Sequence, residues 1–287
     1  MTGVLVIDKP AGLTSFDVVA QVRRALGERR VGHTGTLDPM ATGVLPICVG
    51  EATKLVPFLV GGDKEYEAEA LLGVTTDSLD ATGVVTSETN ASHVSRSDVE
   101  QALPGFVGVI QQRPPMHSAV RVDGERLYKL AHRGLEVDRA ARPVVVHALT
   151  LLGFEGPRLR FHVRCGKGTY VRSLAADLGA VLGVGAHLTA LRRTRVGPFS
   201  LEHAVPLDAL GPAAELTTPA EALADHATVA LDVDQMRDVR AGKLRTIATL
   251  RAPEGAGSHV RMLGPDGTLV AVAEAHDGQL TLARVFC

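Results

Sequence analysis

A chain of 287 residues, 45% of them hydrophobic, can bury a full-sized core, which excludes an intrinsically disordered protein. Aromatic residues make up only 3% and Trp is absent, so Val, Leu and Ala must fill that core. The net charge of -2 excludes a uniformly basic chain but conceals an asymmetry: residues 111–195 hold 15 Lys/Arg against 6 Asp/Glu, and the rest holds 15 against 26.

Taken in chain order, a strand over Val4–Ile7 runs into a Lys9-Pro10-Ala11-Gly12 turn. Ser15 is placed as the N-cap of a helix carrying Phe16, Val19, Val22 and Leu26 at helical spacing, with Gly27 as its stop. Asp17 in its first turn and Arg23 and Arg24 in its last suit the helix dipole. A loop rich in Gly and Thr follows over Val31–Gly43. Tyr66, Ala68, Ala70 and Leu72 alternate with Glu65, Glu67 and Glu69, the pattern of a half-buried strand. Ser95–Leu103 reads as a short capped helix.

The stretch Gln111–Arg142 is polar and basic and predicts an insertion that reaches out from the domain. Leu159, Phe161, Val163 and Cys165 alternate with Arg158, Arg160, His162 and Arg164, giving a strand with one buried and one basic face. Gly166-Lys167-Gly168-Thr169 turns the chain into a helix with Leu174, Ala175, Leu178, Val181 and Leu182. The Ala- and Pro-rich stretch Leu207–His226 reads as a helical connector. Three strand-like runs, His259–Leu263, Leu269–Glu274 and Leu280–Phe286, predict a small β-barrel of about 60 residues at the C-terminus. Domains are therefore expected at 1–225 and 226–287.

Cys48, Cys165 and Cys287 lie far apart, with no Cys/His cluster at zinc spacing, so reduced cytosolic thiols are expected and no metal site. The N-terminus, MTGVLVIDKP, is not a secretory signal, and no run approaches the roughly 18 apolar residues of a membrane span. A cytoplasmic protein without a membrane partner follows. The charge asymmetry fits a basic face for phosphates on an acidic body, and scattered solvated arginines fit it equally well.

The segment Gly35-Thr36-Leu37-Asp38-Pro39-Met40-Ala41-Thr42-Gly43 sets an Asp within a tight, glycine-flanked loop. Pro39 biases Asp38 toward an extended backbone, and the glycines permit close approach by a ligand. Pattern alone favours an Asp that caps its own turn. The wider string GHTGTLDPMATGVLPICVGEATK, however, resembles the signature of bacterial tRNA pseudouridine synthases that modify position 55. DKPAGLTSFDVV, KEYEAEALLGVTTDSLDATG, RPPMHSAVRVDGERLYKLAHRG, CGKGTYVRSLAADLG and HLTALRRTRVGPF resemble further segments of that family, in order, over residues 3–205.

The resemblance implies an α/β (α+β) pseudouridine synthase fold: a mixed, mostly antiparallel sheet with a central cleft, plus a C-terminal PUA-like barrel. It implies Asp38 as nucleophile, Arg172 as the cation that keeps it ionised, and Tyr66 against the uracil as a proton-transferring group. It places His33 where the target base leaves its loop, and Tyr170 and Leu191 along the uracil pocket. Lys9-Pro10 supports the Asp38 loop. Arg192, Arg193, Arg195, Arg23, Arg24, Arg29 and Arg30 are candidate phosphate contacts. The expected partner is the T-arm and T-loop of tRNA, met by a monomer with no obligatory protein partner. Isomerisation changes no oxidation state and adds no group, so a carboxylate nucleophile suffices, with no metal or organic cofactor. His117 and Arg121 stand where the family more often has Tyr and Lys, which leaves T-loop contacts open.

Two rival readings fit parts of the chain. Gly166-Lys167-Gly168-Thr169 does not satisfy the P-loop spacing, because a Gly separates Lys from Thr. A non-catalytic tRNA-binding or folding chaperone explains the basic stretch but not Asp38, Tyr66 and Arg172 together.

Overall fold

A computed structural model describes residues 1–122 and 124–286. Its centre is a ten-stranded mixed sheet. The strands that matter here are β1 (Gly3–Lys9), β2 (Val31–His33), β3 (Thr42–Val49), β4 (Lys64–Leu72), β5 (Gly108–Gln112), β6 (Arg142–Glu155), β7 (Arg158–Cys165) and β8 (Ala186–Val196). From β1 the sheet order is β1-β3-β8-β4-β7-β6-β5, with β2 added on β3. Most pairs are antiparallel; β8 runs parallel to β3, with Arg192 opposite Thr42 and Arg193 opposite Gly43.

Two helices cover one face, α1 (Ser15–Leu26) and α2 (Val171–Val181). Val18, Val19 and Val22 of α1 and Leu174 and Leu178 of α2 share a core with Leu5, Ile7, Tyr66, Ala68, Phe161 and Val163. The opposite face buries Val4, Val6, Val44 and Cys48 against Leu269, Val272 and Phe286 from the C-terminal region. β1 is therefore apolar almost without alternation, as a strand covered on both sides must be. Cys48 and Cys165 are buried thiols, and burial pushes them up to about 12 and about 11. Cys287 lies outside the described residues.

The start of α1 differs from expectation. Thr14 is the N-cap, in a capping box with Asp17, and Ser15 is the first helical residue, buried. The buried stripe is Ser15, Val18, Val19 and Val22, which turns Phe16 outward, 71% exposed. The basic face of β7 also changes its meaning. Arg160, His162 and Arg164 stand opposite Glu69, Glu67 and Glu65 of β4. Arg158 pairs with Glu69 at 2.9 Å and His162 approaches Glu65 at 3.4 Å. An acidic stripe on one strand thus offsets the basic stripe on its neighbour.

The polar stretch after β5 leaves the sheet edge and returns as β6, where Arg142 pairs with Gln112. It forms a two-residue hairpin, a helix over Leu127–His132, and a small apolar cluster of Met116, Leu127 and Leu130. The expected helical connector over 207–226 holds only one helical turn of α type, Pro219–Ala222, amid irregular chain. At the C-terminus, β9 (Ala227–Ala230), β10 (His259–Leu263), β11 (Leu269–His276) and β12 (Gln279–Val285) form an open four-stranded sheet in that order. The closed barrel read from the strand pattern is not formed among the described residues. Packing against the large sheet and against Val239 and Ile247 of two short helices covers the faces that closure would have hidden. No described helix is long and apolar enough to cross a membrane.

Candidate active site

The Asp38 loop joins β2 to β3 and is fixed along its whole length. Ser15 Oγ accepts from the Leu37 amide at 2.9 Å and lies 3.2 Å from the Leu37 carbonyl, to which it donates, so α1 is fastened to the residue before Asp38. Lys9 is fully buried, and its ammonium donates to the carbonyls of Pro10, Leu13 and Pro39 at 2.9, 2.7 and 3.2 Å. Burial pushes Lys9 down to about 8. The Gly12 amide donates to the Pro39 carbonyl at 2.8 Å.

Arg193 holds the loop from below. It is 1% exposed, and its guanidinium donates to the carbonyls of Val44, Gly35 and Thr36 at 2.8, 3.1 and 3.4 Å. The reading of Arg193 as a phosphate contact is thereby overturned: a buried fork bound to three carbonyls has no face for a phosphate. Arg192 spends its charge on Asp8 at 2.7 Å, Arg30 pairs with Glu51, and Arg23 and Arg195 donate to the carbonyls of Val31 and Gly197. Arg24 and Arg29 stay exposed. Gly43 permits this close fit, since at its φ of 100° a Cβ would sit 2.2 Å from the Arg193 carbonyl oxygen. Gly43→Ala is expected to cost about 3 kcal/mol or more from the φ penalty and the clash together. Thermal unfolding of the variant checks this.

The Asp38 carboxylate meets Arg172, with Nε to Oδ2 at 2.9 Å, and its side chain stays 32% exposed while that of Arg172 is 4% exposed. Arg172 lies in the first turn of α2, where a cation opposes the helix dipole. Its other donors explain the placement. Nη1 donates to the Ser78 carbonyl at 2.9 Å and lies 3.3 Å from Asp80 Oδ2, and Nη2 donates to the His117 carbonyl at 2.8 Å. Asp80 is 4% exposed, and its Oδ1 accepts from Ser78 Oγ, the Thr82 amide and Thr82 Oγ1 at 2.8, 3.0 and 2.6 Å. One guanidinium therefore bridges two carboxylates and is held rigid by backbone. Burial pushes the Asp38 carboxyl above the usual Asp value, Arg172 pulls it back, and Asp80 adds to the rise.

Tyr66 is buried on β4 directly opposite Arg193 of β8. Burial raises its hydroxyl, and the neighbouring Arg193 charge acts against that rise. Leu191, buried on the same strand as Arg193, stands opposite Ala68. Tyr170 caps α2, its backbone clamped by Gln112, which accepts from the Tyr170 amide at 2.7 Å and donates to its carbonyl at 3.0 Å. Both hydroxyls feel the Asp38 charge. His33, at the end of β2, packs edge-on against Phe16 with ring centroids 5.3 Å apart. So Asp38 and Arg172 are in contact, Tyr66 and Tyr170 lie within electrostatic reach, Leu191 joins Tyr66 in the core, and His33 is half-buried against Phe16.

Residues 23–171 match the TruB family pseudouridylate synthase N-terminal domain. The chain belongs to that family. Residues 172–233 match the C-terminal domain of tRNA pseudouridylate synthase B, so the two family segments meet at Arg172. A tRNA pseudouridine synthase B of Aromatoleum aromaticum is 49% identical over 98% of this chain and 91% of its own. That of Symbiobacterium thermophilum is 56% identical over 78% of this chain and 76% of its own. That of Thermobifida fusca is 46% identical over 99% and 98%. Among solved structures, a chain of a Cbf5-Nop10-Gar1 complex has a TM-score of 0.77 at 28% identity, covering 99% of this chain and 85% of that one. A chain of an H/ACA RNP bound to a substrate RNA containing 2'-deoxyuridine has a TM-score of 0.74 at 27% identity, with 99% and 85% covered. The sheet of this TruB family member is accordingly that of a pseudouridine synthase.

Asp80 and the loop-holding role of Arg193 are the parts of this TruB family site that the sequence reading missed. The signal for Asp80 was present in Thr76-Asp77-Ser78-Leu79-Asp80-Ala81-Thr82, but a run of this kind reads as turn chemistry.

Proposed function

We propose that this protein isomerises a uridine of tRNA to pseudouridine, at position 55 in the T-loop, with Asp38 as nucleophile. The N1–C1′ bond breaks, the uracil turns, and a C5–C1′ bond forms. The proton on C5 leaves and N1 is protonated, so atoms and electrons balance without an external reactant. The observation that carries this reading is the Asp38–Arg172–Asp80 arrangement, a partly exposed carboxylate held against a buried guanidinium. Arg172 favours the ionised, nucleophilic form of Asp38. Attack at C1′, attack at C6 and elimination of the base all call for that form. Tyr66 would act as a proton relay, its oxygen taking the C5 proton as its own hydroxyl proton passes on, and a flipped base packs against Tyr66, Tyr170 and Leu191. The names of the relatives, tRNA pseudouridine synthase B, support tRNA as substrate.

The chain between β5 and β6 would grip the T-arm, and its root is tied to the site, since Arg172 binds the His117 carbonyl and Ser173 Oγ that of Arg113 at 3.1 Å. Residues 226–287 would form a PUA-like RNA-binding domain packed on the large sheet. The same reading makes the protein a cytoplasmic monomer, a state that light scattering with and without tRNA measures. The test of function is the pseudouridine map of unmodified tRNA after incubation with the protein and chelator, beside a transcript with cytidine at the T-loop position. Pseudouridine at that uridine, and at no site in the cytidine transcript, is expected. Tight binding without pseudouridine would favour a folding chaperone.

A further inference from the structure

Among the described residues Phe16 is the one aromatic side chain with large exposure, 71%, in a protein with seven Phe, three Tyr and no Trp. A lone exposed apolar residue is ordinary. The position of this one is not. The preceding residue, Ser15, is bonded to both the amide and the carbonyl of Leu37, the neighbour of Asp38. Phe16 is thus carried on a helix start that is fastened to the candidate nucleophile's loop. Its ring meets His33 at 5.3 Å and 83°. In an edge-to-face pair, one ring keeps both of its faces free of the other.

His33 adds a second, independent observation. Its Nδ1 is buried and has no hydrogen-bond partner, an unmet polar atom beside the loop. Burial, and after it the Arg193 charge, lower its tendency to hold a proton. The neighbouring acid, Asp17, is engaged by the Thr14 cap. The spot is therefore aromatic, which suits the π-face of a base.

We propose that Phe16, set edge-on against His33, offers a stacking face to an unpaired base of the tRNA loop. The inference rests on the reading of this protein as a tRNA pseudouridine synthase. Phe16 acts in binding: it orders the loop from which the target leaves and takes no part in bond making.

The test compares wild type, Phe16→Ala and Phe16→Trp for tRNA affinity over a salt series and for single-turnover pseudouridine formation at saturating protein. Phe16 is mostly exposed, so the variants are expected to unfold at the wild-type temperature. Phe16→Ala should raise Kd about ten-fold, the scale of one lost base–aromatic stack. The salt slope should stay unchanged, because no phosphate contact is lost. The saturated rate should change little. Phe16→Trp should restore affinity, and as the only Trp its fluorescence should change when tRNA binds. Affinity of Phe16→Ala within two-fold of wild type, or a Trp signal indifferent to tRNA, would overturn the inference. A wild-type protein that forms no pseudouridine would instead overturn the functional reading, and the affinity comparison would still decide the role of Phe16.

Discussion

Asp38→Asn is expected to reduce pseudouridine formation by about 10⁴-fold or more, the scale on which an enzyme loses its nucleophile. The substitution keeps the shape of the side chain, removes its charge and replaces one acceptor oxygen by an NH2 donor. The loop does not depend on that charge. It is held by Lys9, Ser15 and Arg193 through the carbonyls of Pro39, Leu37, Gly35 and Thr36 and the Leu37 amide. The variant should therefore fold, and it should bind tRNA within a few-fold of wild type. Affinity by filter binding beside a single-turnover rate separates the two effects. Parallel loss of binding and rate would mean that Asp38 serves the fold or the RNA contact and not the chemistry.

Arg172→Met is expected to cost about 10³-fold in rate, or about 4 kcal/mol of barrier, the scale of losing one preorganised charge at a reacting centre. Two carboxylates would lose their shared cation at once, since Arg172 touches Asp38 at 2.9 Å and Asp80 at 3.3 Å. The carbonyls of Ser78 and His117 would also lose a donor, so stability should fall with activity. Arg172→Lys keeps the charge but cannot present a fork to four acceptors and should recover only part of the rate. Asp80→Asn should lose less than Arg172→Met, because it weakens the positioning of Arg172 without uncovering Asp38. Equal rates for all three variants and wild type would remove Arg172 from the mechanism.

The sheet was legible in the sequence wherever one strand decides its own pattern. The alternation of β4 and β7 gave both strands and put Tyr66, Phe161 and Val163 on the buried side. What was not legible depends on neighbours. The stripe on β7 reads as a strongly basic face until β4 brings Glu65, Glu67 and Glu69 beside it. Arg193 reads as one of three surface cations until β8 runs parallel to β3 and sets it under Gly43. Phe16 fits a core stripe at helical spacing, yet moving the cap from Ser15 to Thr14 and burying Ser15 on Leu37 turns it to solvent.

At the candidate site, local pattern favoured a turn-capping Asp38, and only the resemblance raised it to a nucleophile. Arg172 carried a faint signal, a cation at the wrong end of a helix. Asp80 carried none beyond turn chemistry, because its partner lies 92 positions away along the chain, a separation only the fold closes.

The most direct test of a nucleophilic carboxylate held ionised by a buried arginine is the single-turnover pH profile of pseudouridine formation by wild type and Arg172→Lys. Burial and Asp80 raise Asp38, so the rate should be full above its folded pKa and fall as pH drops through a midpoint above the usual value of about 3.9. Weakening the Arg172 contact should move that midpoint further up. A profile flat down to the usual carboxylate range, or a limb at the same pH in both proteins, would contradict it.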